Sequence, residues 1–167
     1  MSTDIEKLVR EAVLKINNGD DAPAREKKRI ENISLSDAKF LAEKVEKRAR
    51  EMGVDAVVAV ADNGGNLVLL ECMDNSYLAS RDIAINKSYT VVALKMPTSK
   101  LALLAAPGGP LYGIQHTNGG RIVIFGGGDP LELRGKVVGG LGVSGGSAEQ
   151  DTELSAYGKK IFEENFS

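Results

Sequence analysis

The glycine-dense C-terminal third of the sequence constrains the fold more than any other stretch. Two short apolar runs rich in β-branched residues, 121–125 and 136–143, are each flanked by clusters of glycine. Glycine weakens a strand and packs nothing, so repeated glycine beside a strand marks a positive φ or a close approach of the backbone to a ligand or another chain. We therefore expect two strands and a binding site here.

The segment 140–145 matches the G-x-G-x-x-G pattern of dinucleotide-binding units. Such a unit needs a second parallel strand with an acidic residue about 20 positions further on, whereas a helical pattern follows here up to Ser167. Lys136 is followed by Val137 rather than by Ser or Thr, so the Walker A pattern is not met either. We expect no nucleotide site of either kind.

Composition excludes several classes of function. The net charge of -2, the absence of Trp and an aromatic content of 5% argue against nucleic-acid binding. No apolar stretch approaches the roughly 20 residues of a membrane span, and the N-terminus lacks the apolar centre of a signal peptide, so we expect a soluble cytoplasmic protein. The single cysteine, Cys72, excludes a disulfide within the chain and a Cys-rich zinc site.

Hydrophobic periodicity divides the chain into three parts. Residues 4–16 place apolar side chains at helical spacing, and 17–32 are charged and without periodicity. We expect an amphipathic helix within residues 1–19, a linker over 20–33 and one domain over 34–167.

The domain is expected to combine helices with a mostly antiparallel sheet. Its first helix starts with a Ser34-x-x-Asp37 capping box and ends near Met52, and a turn over residues 62–66 joins two strands into a hairpin. The other predicted helices are 79–94, 99–105 and 148–162, and the predicted strands are 54–61, 67–73, 121–125 and 136–143.

Five motifs form a specific combination. They are Ala61-Asp62-Asn63-Gly64-Gly65-Asn66-Leu67-Val68, Met73-Asp74, Ala84-x-x-Lys87-x-x-Thr90, Phe125-Gly126-Gly127-Gly128-x-Pro130, and Gly139 to Gly146 with Gln150-Asp151 behind it. In this combination the sequence resembles the haem-binding GlcG/HbpS family, which is similar to the C-terminal domain of PduO-type corrinoid adenosyltransferases. The resemblance implies profilin-like α/β/α layers around a five-stranded antiparallel sheet, homo-oligomers, and haem or a corrinoid-related tetrapyrrole as ligand.

Two departures from the family pattern limit what the resemblance implies. Cys72 stands where the family often has Arg before Met-Asp, which removes a charge that could pair with a carboxylate of the ligand. The sequence contains nothing like the helical ATP-binding domain of the adenosyltransferases, so adenosyl transfer is not expected.

His116 is the only histidine and the first candidate for a haem iron ligand. The alternative is an exposed histidine in a loop. Met73, Tyr112 and Cys72 are further candidate ligands, or else residues of the core or of a pocket wall.

Lys87 has apolar neighbours one turn away on its own helix. It is a candidate cation for a propionate, carboxylate or phosphate, with the backbone N–H groups of Gly126-Gly127-Gly128 as an anion-binding nest. The alternatives are a lysine that extends to solvent and a plain glycine turn. Asp74 and Asp151 are expected to be turn and helix-start residues.

Three functions remain open. The first is an oligomeric haem- or tetrapyrrole-binding accessory protein. The second is an enzyme acting on a small carboxylate or an aldehyde-derived metabolite, with the Lys87 and Gly126-Gly127-Gly128 groups binding the anion, although no catalytic constellation is visible. The third is a structural accessory protein.

Two predictions concern assembly. Glycine-rich strands leave a face that another chain could approach, so we expect a homo-oligomer. The helix within residues 1–19 resembles the encapsulation peptides that carry cargo into bacterial microcompartments, which implies a shell-protein partner and a place in a microcompartment lumen linked to cobalamin-dependent metabolism. The alternative is that this helix packs on its own domain.

Overall fold

The structure is a computed structural model that describes residues 31–166. The predicted helix within residues 1–19 and most of the predicted linker lie outside this part of the chain. The described helices are α1 (Leu35–Glu51), α2 (Leu78–Leu94), α3 (Thr98–Leu104) and α4 (Ala148–Phe166), and the strands are β1 (Val57–Asp62), β2 (Leu67–Cys72), β3 (Gly128–Leu133) and β4 (Lys136–Ser144). Two 3-10 turns, Ile114–His116 and Asn118–Gly120, lie between α3 and β3.

The strands form one antiparallel sheet in the order β2-β1-β4-β3. The α+β class predicted from the sequence is therefore confirmed. The described residues contain four strands, whereas the family resemblance implied five. The strands β1 and β4 lie in the middle of the sheet, which is why nearly all of their residues are buried.

Helix α1 begins where its capping box was predicted. The hydroxyl of Ser34 accepts a hydrogen bond from the N–H of Asp37 at 3.2 Å, and the Asp37 carboxylate accepts one from the N–H of Ser34 at 3.4 Å. This exchange satisfies two backbone donors that a helix start otherwise leaves free. The buried side of the helix is Ala38, Leu41, Ala42, Val45 and Ala49.

The predicted hairpin of β1 and β2 is also confirmed. The Asp62 carboxylate closes the turn, because its Oδ1 accepts hydrogen bonds from the N–H groups of Gly64 at 2.9 Å and Asn66 at 2.8 Å. Burial alone would raise the pKa of Asp62, but the hydrogen bonds from Asn66 and Gly64 outweigh it and lower that pKa.

The predicted strand over residues 121–125 is wrong, because the strand at this place is β3. A two-residue turn, in which Arg134 has φ 50° and Gly135 has φ 73°, joins β3 to β4. Positive φ at both central residues is typical of the tight turns that connect antiparallel strands, so the residues just before the turn enter the sheet. Residues 121–123 contact α2 instead, since the N–H of Val123 donates to Oγ1 of Thr90 at 3.0 Å.

Strand β3 forms an edge of the sheet and contains Pro130. The N–H of Gly128 points away from β4 and donates to Oγ1 of Thr98 at 2.9 Å. The backbone nitrogen of Pro130, two residues further on, lies on the same outer side. A proline fits there because the outer side of an edge strand needs no N–H for pairing within the sheet.

The glycines of β4 allow α2 to lie directly against the sheet. A β-carbon on Gly140 would overlap the carbonyl oxygen of Ser88, and one on Gly142 would overlap that of Ala84. Leu141 points to the opposite side, where a β-carbon at Gly158 of α4 would meet it. Helices thus cover both faces. The predicted close approach to the glycines of β4 is confirmed, but the element that approaches them is α2 of the same chain. The prediction that these glycines leave a face open to another chain is therefore wrong.

Residues 31–33 join the domain before α1 begins. The N–H of Ile33 donates to the carbonyl of Val138 at 2.9 Å, and Oδ1 of Asn32 accepts from the N–H of Asn63 at 2.8 Å. Ile33 is buried. Among residues 31–166, no helix has the length and apolar character needed to cross a membrane.

Candidate functional site

A cleft of about 260 Å³ lies where α2 and α4 begin. Its walls include the apolar side chains of Tyr77, Ile83 and Phe125. Its polar lining includes Ser80, Ser144 and Asp151. The end of β4 separates the two helix starts, which is why Ser144 faces this cleft.

The buried side chain of Lys87 lies beside this cleft. Its Nζ donates to Oδ2 of Asp151 at 2.8 Å and to the carbonyl of Val143 at 2.7 Å. Lys87 is 0% exposed and Asp151 is 3% exposed. The interpretation of Lys87 as a lysine that extends to solvent is therefore wrong, and its charge is compensated inside the protein.

Burial lowers the pKa of Lys87, and the charge and hydrogen bond of Asp151 act in the opposite direction. The second carboxylate oxygen of Asp151 accepts from the N–H of Gly146 at 2.9 Å. On another side of the ammonium group, the ring centroid of Phe125 lies 4.9 Å from Nζ. A cation over an aromatic face is attracted to the ring, so Phe125 both covers Lys87 and stabilises its charge.

The structure brings the glycine run 126–128 to Lys87, as the predicted site requires. Gly127 has φ 110°, and a β-carbon there would lie 2.5 Å from Nζ of Lys87, so this position has no room for a side chain. The carbonyl of Gly127 accepts from the N–H of Val143 at 2.7 Å. The N–H of Gly128 is bonded to Thr98, so this donor of the expected nest is already used within the protein.

Ser80 and Ser144 form a buried pair of hydroxyls at the cleft. Their oxygens lie 3.1 Å apart, and the two residues are 4% and 5% exposed. They come from α2 and from the last residue of β4, 64 positions apart in the chain. This pair was not expected from the sequence, because Ser144 belongs to the glycine-rich motif 139–146 but Ser80 belongs to none of the motifs, and no local spacing joins them.

The candidate iron ligands lie elsewhere. His116 is exposed in the first 3-10 turn, and the neighbouring Tyr112 is 67% exposed. The thioether of Met73 is half-buried and accepts a hydrogen bond from the N–H of Ala56 at 3.2 Å. Cys72 is an exposed free cysteine at the end of β2. None of these four residues lines the 260 Å³ cleft.

The main functional residue that sequence reasoning undervalued is Asp151. It does lie in the first turn of α4, as a helix-start residue, but it is also the partner of Lys87. The two stand 64 positions apart, so no local spacing could pair them. Asp74, by contrast, is exposed in the turn after β2, as expected.

Comparison with known proteins agrees with this fold. The family described as haem degrading protein HbpS-like matches residues 33–159. An uncharacterized 15.0 kDa protein in the dhaT-dhaS intergenic region of Citrobacter freundii is 46% identical over 135 residues, which are 81% of this chain and 95% of that protein.

Two further similarities concern PduO. Corrinoid adenosyltransferase PduO of Citrobacter freundii is 39% identical over 108 residues, which are 65% of this chain but only 32% of that enzyme. The crystal structure of the PduOC:heme complex has 35% sequence identity and a TM-score of 0.74, over 77% of this chain and 94% of that one. On the family match and these identities, the chain belongs to the HbpS-like family.

Proposed function

We propose that this protein binds haem, as an accessory protein that works in a homo-oligomer. The observation that carries the proposal is the likeness to the PduOC:heme complex, at 35% identity and a TM-score of 0.74. That likeness extends over most of the described domain, so the surfaces that could receive a haem are built on the same scaffold. We further propose that the layers of helices around the sheet are the profilin-like arrangement.

Two cavities among the described residues are poorly suited to hold a haem. The 260 Å³ cleft is smaller than the roughly 300–1,000 Å³ of pockets that hold drug-sized ligands. A second groove of about 400 Å³ lies between α1 and α4, but Arg48, Glu51, Glu153 and Lys160 line it, and these charges do not suit a flat apolar ring. We therefore place the haem on an exposed surface that a second copy of the chain completes.

The segment between α3 and β3 fits such a surface. Leu103 and Tyr112 are 78% and 67% exposed, and the N–H of Leu111 holds the segment against α3 by donating to the carbonyl of Leu104. Exposed apolar side chains next to an exposed imidazole suit a flat ring with a central metal. We propose His116 as the ligand of the haem iron, which supplies the metal coordination chemistry when bound.

A cation for the haem propionates is available in the same segment. The guanidinium carbon of Arg121 lies 3.6 Å from the ring centroid of Tyr89, and the Tyr89 hydroxyl lies 3.3 Å from Oδ1 of Asn118. Within residues 31–166, Arg121 makes no ion pair with a carboxylate within 4.0 Å. Because the flat face of the Arg121 guanidinium stacks on the Tyr89 ring, the N–H groups at its edge remain free to bind a carboxylate.

Titration of the full chain with haemin tests the proposal. We expect a sharp Soret band that saturates at a fixed ratio of haem to chain, and a shifted band for His116→Ala. Broad absorbance without saturation, like that of haemin in buffer, would overturn haem binding. An unchanged band for His116→Ala would remove His116 as the ligand. A parallel titration with a cobalamin tests the corrinoid alternative, and light scattering with and without haemin tests the oligomer.

For residues 1–19 we propose targeting to the lumen of a bacterial microcompartment. The support is the amphipathic spacing of Ile5, Leu8, Val9, Ala12, Val13 and Ile16, which is typical of helices that bind in a partner's groove. The test is a fusion of residues 1–19 to a fluorescent protein in cells that make shells, with an Ile5/Leu8/Val9 to Glu variant as control. Diffuse fluorescence, or no difference between the two fusions, would rule out targeting.

A further inference from the structure

The hydrogen bond between Ser80 and Ser144 uses only one of their two hydroxyl hydrogens. Each hydroxyl carries one hydrogen, and the pair needs only one of them for the bond that joins the two oxygens. Within residues 31–166 neither hydroxyl has another hydrogen-bond partner. Both residues are at least 95% buried and both line the cleft. A buried donor without an acceptor costs free energy, so the second hydrogen is available to an acceptor that enters the cleft.

Two helix N-termini add donors to the same cleft. Tyr77, the N-cap of α2, provides no side-chain cap, and the N–H of Ala79 at the cleft has no acceptor within residues 31–166. At α4, the side chains of Ser147 and Gln150 each bond the other's N–H, which leaves the N–H of Ala148 free at the cleft. Both helices are long, 17 and 19 residues, so both starts carry the positive end of a helix dipole.

Among the described residues, Asp151 is the one carboxylate residue that lines the cleft, and its charge does not repel an anion there because Lys87 compensates it. Oδ2 of Asp151 is bonded to the ammonium group of Lys87 and Oδ1 to the N–H of Gly146. The pair of Lys87 and Asp151 is neutral as a unit, and both Asp151 oxygens are already used. Both oxygens of Asp151 are thus occupied, whereas the N–H groups of Ala79 and Ala148 are free in the described part of the chain, which favours a ligand that accepts hydrogen bonds.

We infer that this cleft is a binding site for the carboxylate group of a small organic acid. Two carboxylate oxygens match the free serine hydrogen and the N–H groups of Ala79 and Ala148. Tyr77, Ile83 and Phe125 provide an apolar wall for a short hydrocarbon chain, and the 260 Å³ volume limits that chain to a few carbons.

The carboxylate has two possible sources, a free acid or a propionate arm of haem. The evidence for this site is separate from that for the proposed haem surface, since His116, Tyr112 and Arg121 do not line the cleft. The inference therefore does not depend on haem binding. It would also remain if the haemin titration failed.

The experiment is a titration of the full chain with sodium propionate, followed by amide NMR. We expect saturable shifts of the N–H signals of Ala79, Gly145 and Ala148. The Ser80→Ala/Ser144→Ala double variant should bind about tenfold more weakly or worse, because it loses a hydrogen bond to a charged group. The double change is needed because either serine alone could still donate. Ser99→Ala on α3 is the matched control, with unchanged affinity.

Propionamide, which is neutral and has nearly the same shape, should produce no saturable shift. Equal shifts from propionate and propionamide, no saturation at these amides, or equal affinity in a well-folded double variant would each overturn the inference. Haemin added with saturating propionate separates the two sources. If propionate and haemin compete, a haem propionate occupies the site. If haemin binds independently of propionate, the occupant is a free acid.

Discussion

The ammonium group of Lys87 lies 2.8 Å from Oδ2 of Asp151, and the two residues are 0% and 3% exposed. This contact connects the middle of α2 with the first turn of α4 across the end of β4. Since both partners are out of water, each depends on the other for compensation of its charge. The pair holds together the two helices whose starts form the cleft.

Removing one partner of this pair should be strongly destabilising. We expect Lys87→Met to lower the free energy of unfolding by about 3 to 5 kcal/mol, because Asp151 is left buried without a counter-charge. Urea unfolding of the variant and the unaltered chain measures this. The matched control is Lys160→Met, which removes an exposed lysine 3.8 Å from Glu164 and should cost less than about 1 kcal/mol. Similar losses in both variants would contradict the prediction.

Gly142 should not tolerate alanine. The added β-carbon would overlap the carbonyl oxygen of Ala84, and since both are backbone positions, neither can rotate away. We expect Gly142→Ala to cost about 3 kcal/mol, at the upper end for overpacking. The control is Gly108→Ala, where nothing lies within 4 Å but φ is 82°, with an expected cost of about 1 kcal/mol. Denaturant unfolding compares them, and a smaller loss for Gly142→Ala would show that α2 can move off the sheet.

Asp129 should make stability depend on pH. Burial raises its pKa above the ordinary 3.8, although the hydroxyl of Ser155, 2.6 Å from Oδ2, acts against this rise. The folded protein therefore keeps this proton at pH values where the unfolded chain has lost it. The resulting stabilisation is full below the ordinary pKa and is lost as pH rises through the raised value.

The comparison with Asp129→Asn isolates this effect, because asparagine does not titrate. The unfolding free energy of the unaltered chain minus that of the variant should fall as pH is raised from about 3 to about 7. Chemical unfolding at several pH values gives this difference. A difference that is constant or rises over the range would contradict the prediction.

Met73 should act in packing rather than as an iron ligand. Its sulfur accepts the N–H of Ala56, so we expect Met73→Leu to cost about 0.5 to 1.5 kcal/mol through the lost hydrogen bond. The Soret band of the haem-loaded variant should equal that of the unaltered chain, in contrast to His116→Ala. A shifted band in Met73→Leu would place the thioether at the iron.

Local signals in the sequence predicted much of the fold correctly. The capping box at Ser34 fixed the start of α1, and the turn residues after Asp62 fixed the hairpin, since both depend on residues within five positions of each other. The failure at residues 121–125 arose because their apolar, β-branched composition suits a strand, while the tight turn at Arg134 and Gly135 selected other residues for the sheet.

The candidate site was predictable only in part. The sequence did indicate that Lys87 and the glycine run at 126–128 belong to one place, through the family motifs that contain them. It did not indicate Asp151 as the partner of Lys87 or Ser144 as the partner of Ser80. Both contacts join residues 64 positions apart, and only the antiparallel path of β4 beside α2 brings them together.

The outer side of β3 has a consequence for how copies of the chain can associate. Of the backbone donors facing outward there, the N–H of Gly128 is occupied by Thr98 and Pro130 has none to offer. A strand from a second chain that paired with this edge would lack both of these hydrogen bonds, so pairing along β3 is disfavoured at Gly128 and Pro130. Strand addition between copies of the described domain is therefore favoured at β2, the opposite edge of the sheet, over β3.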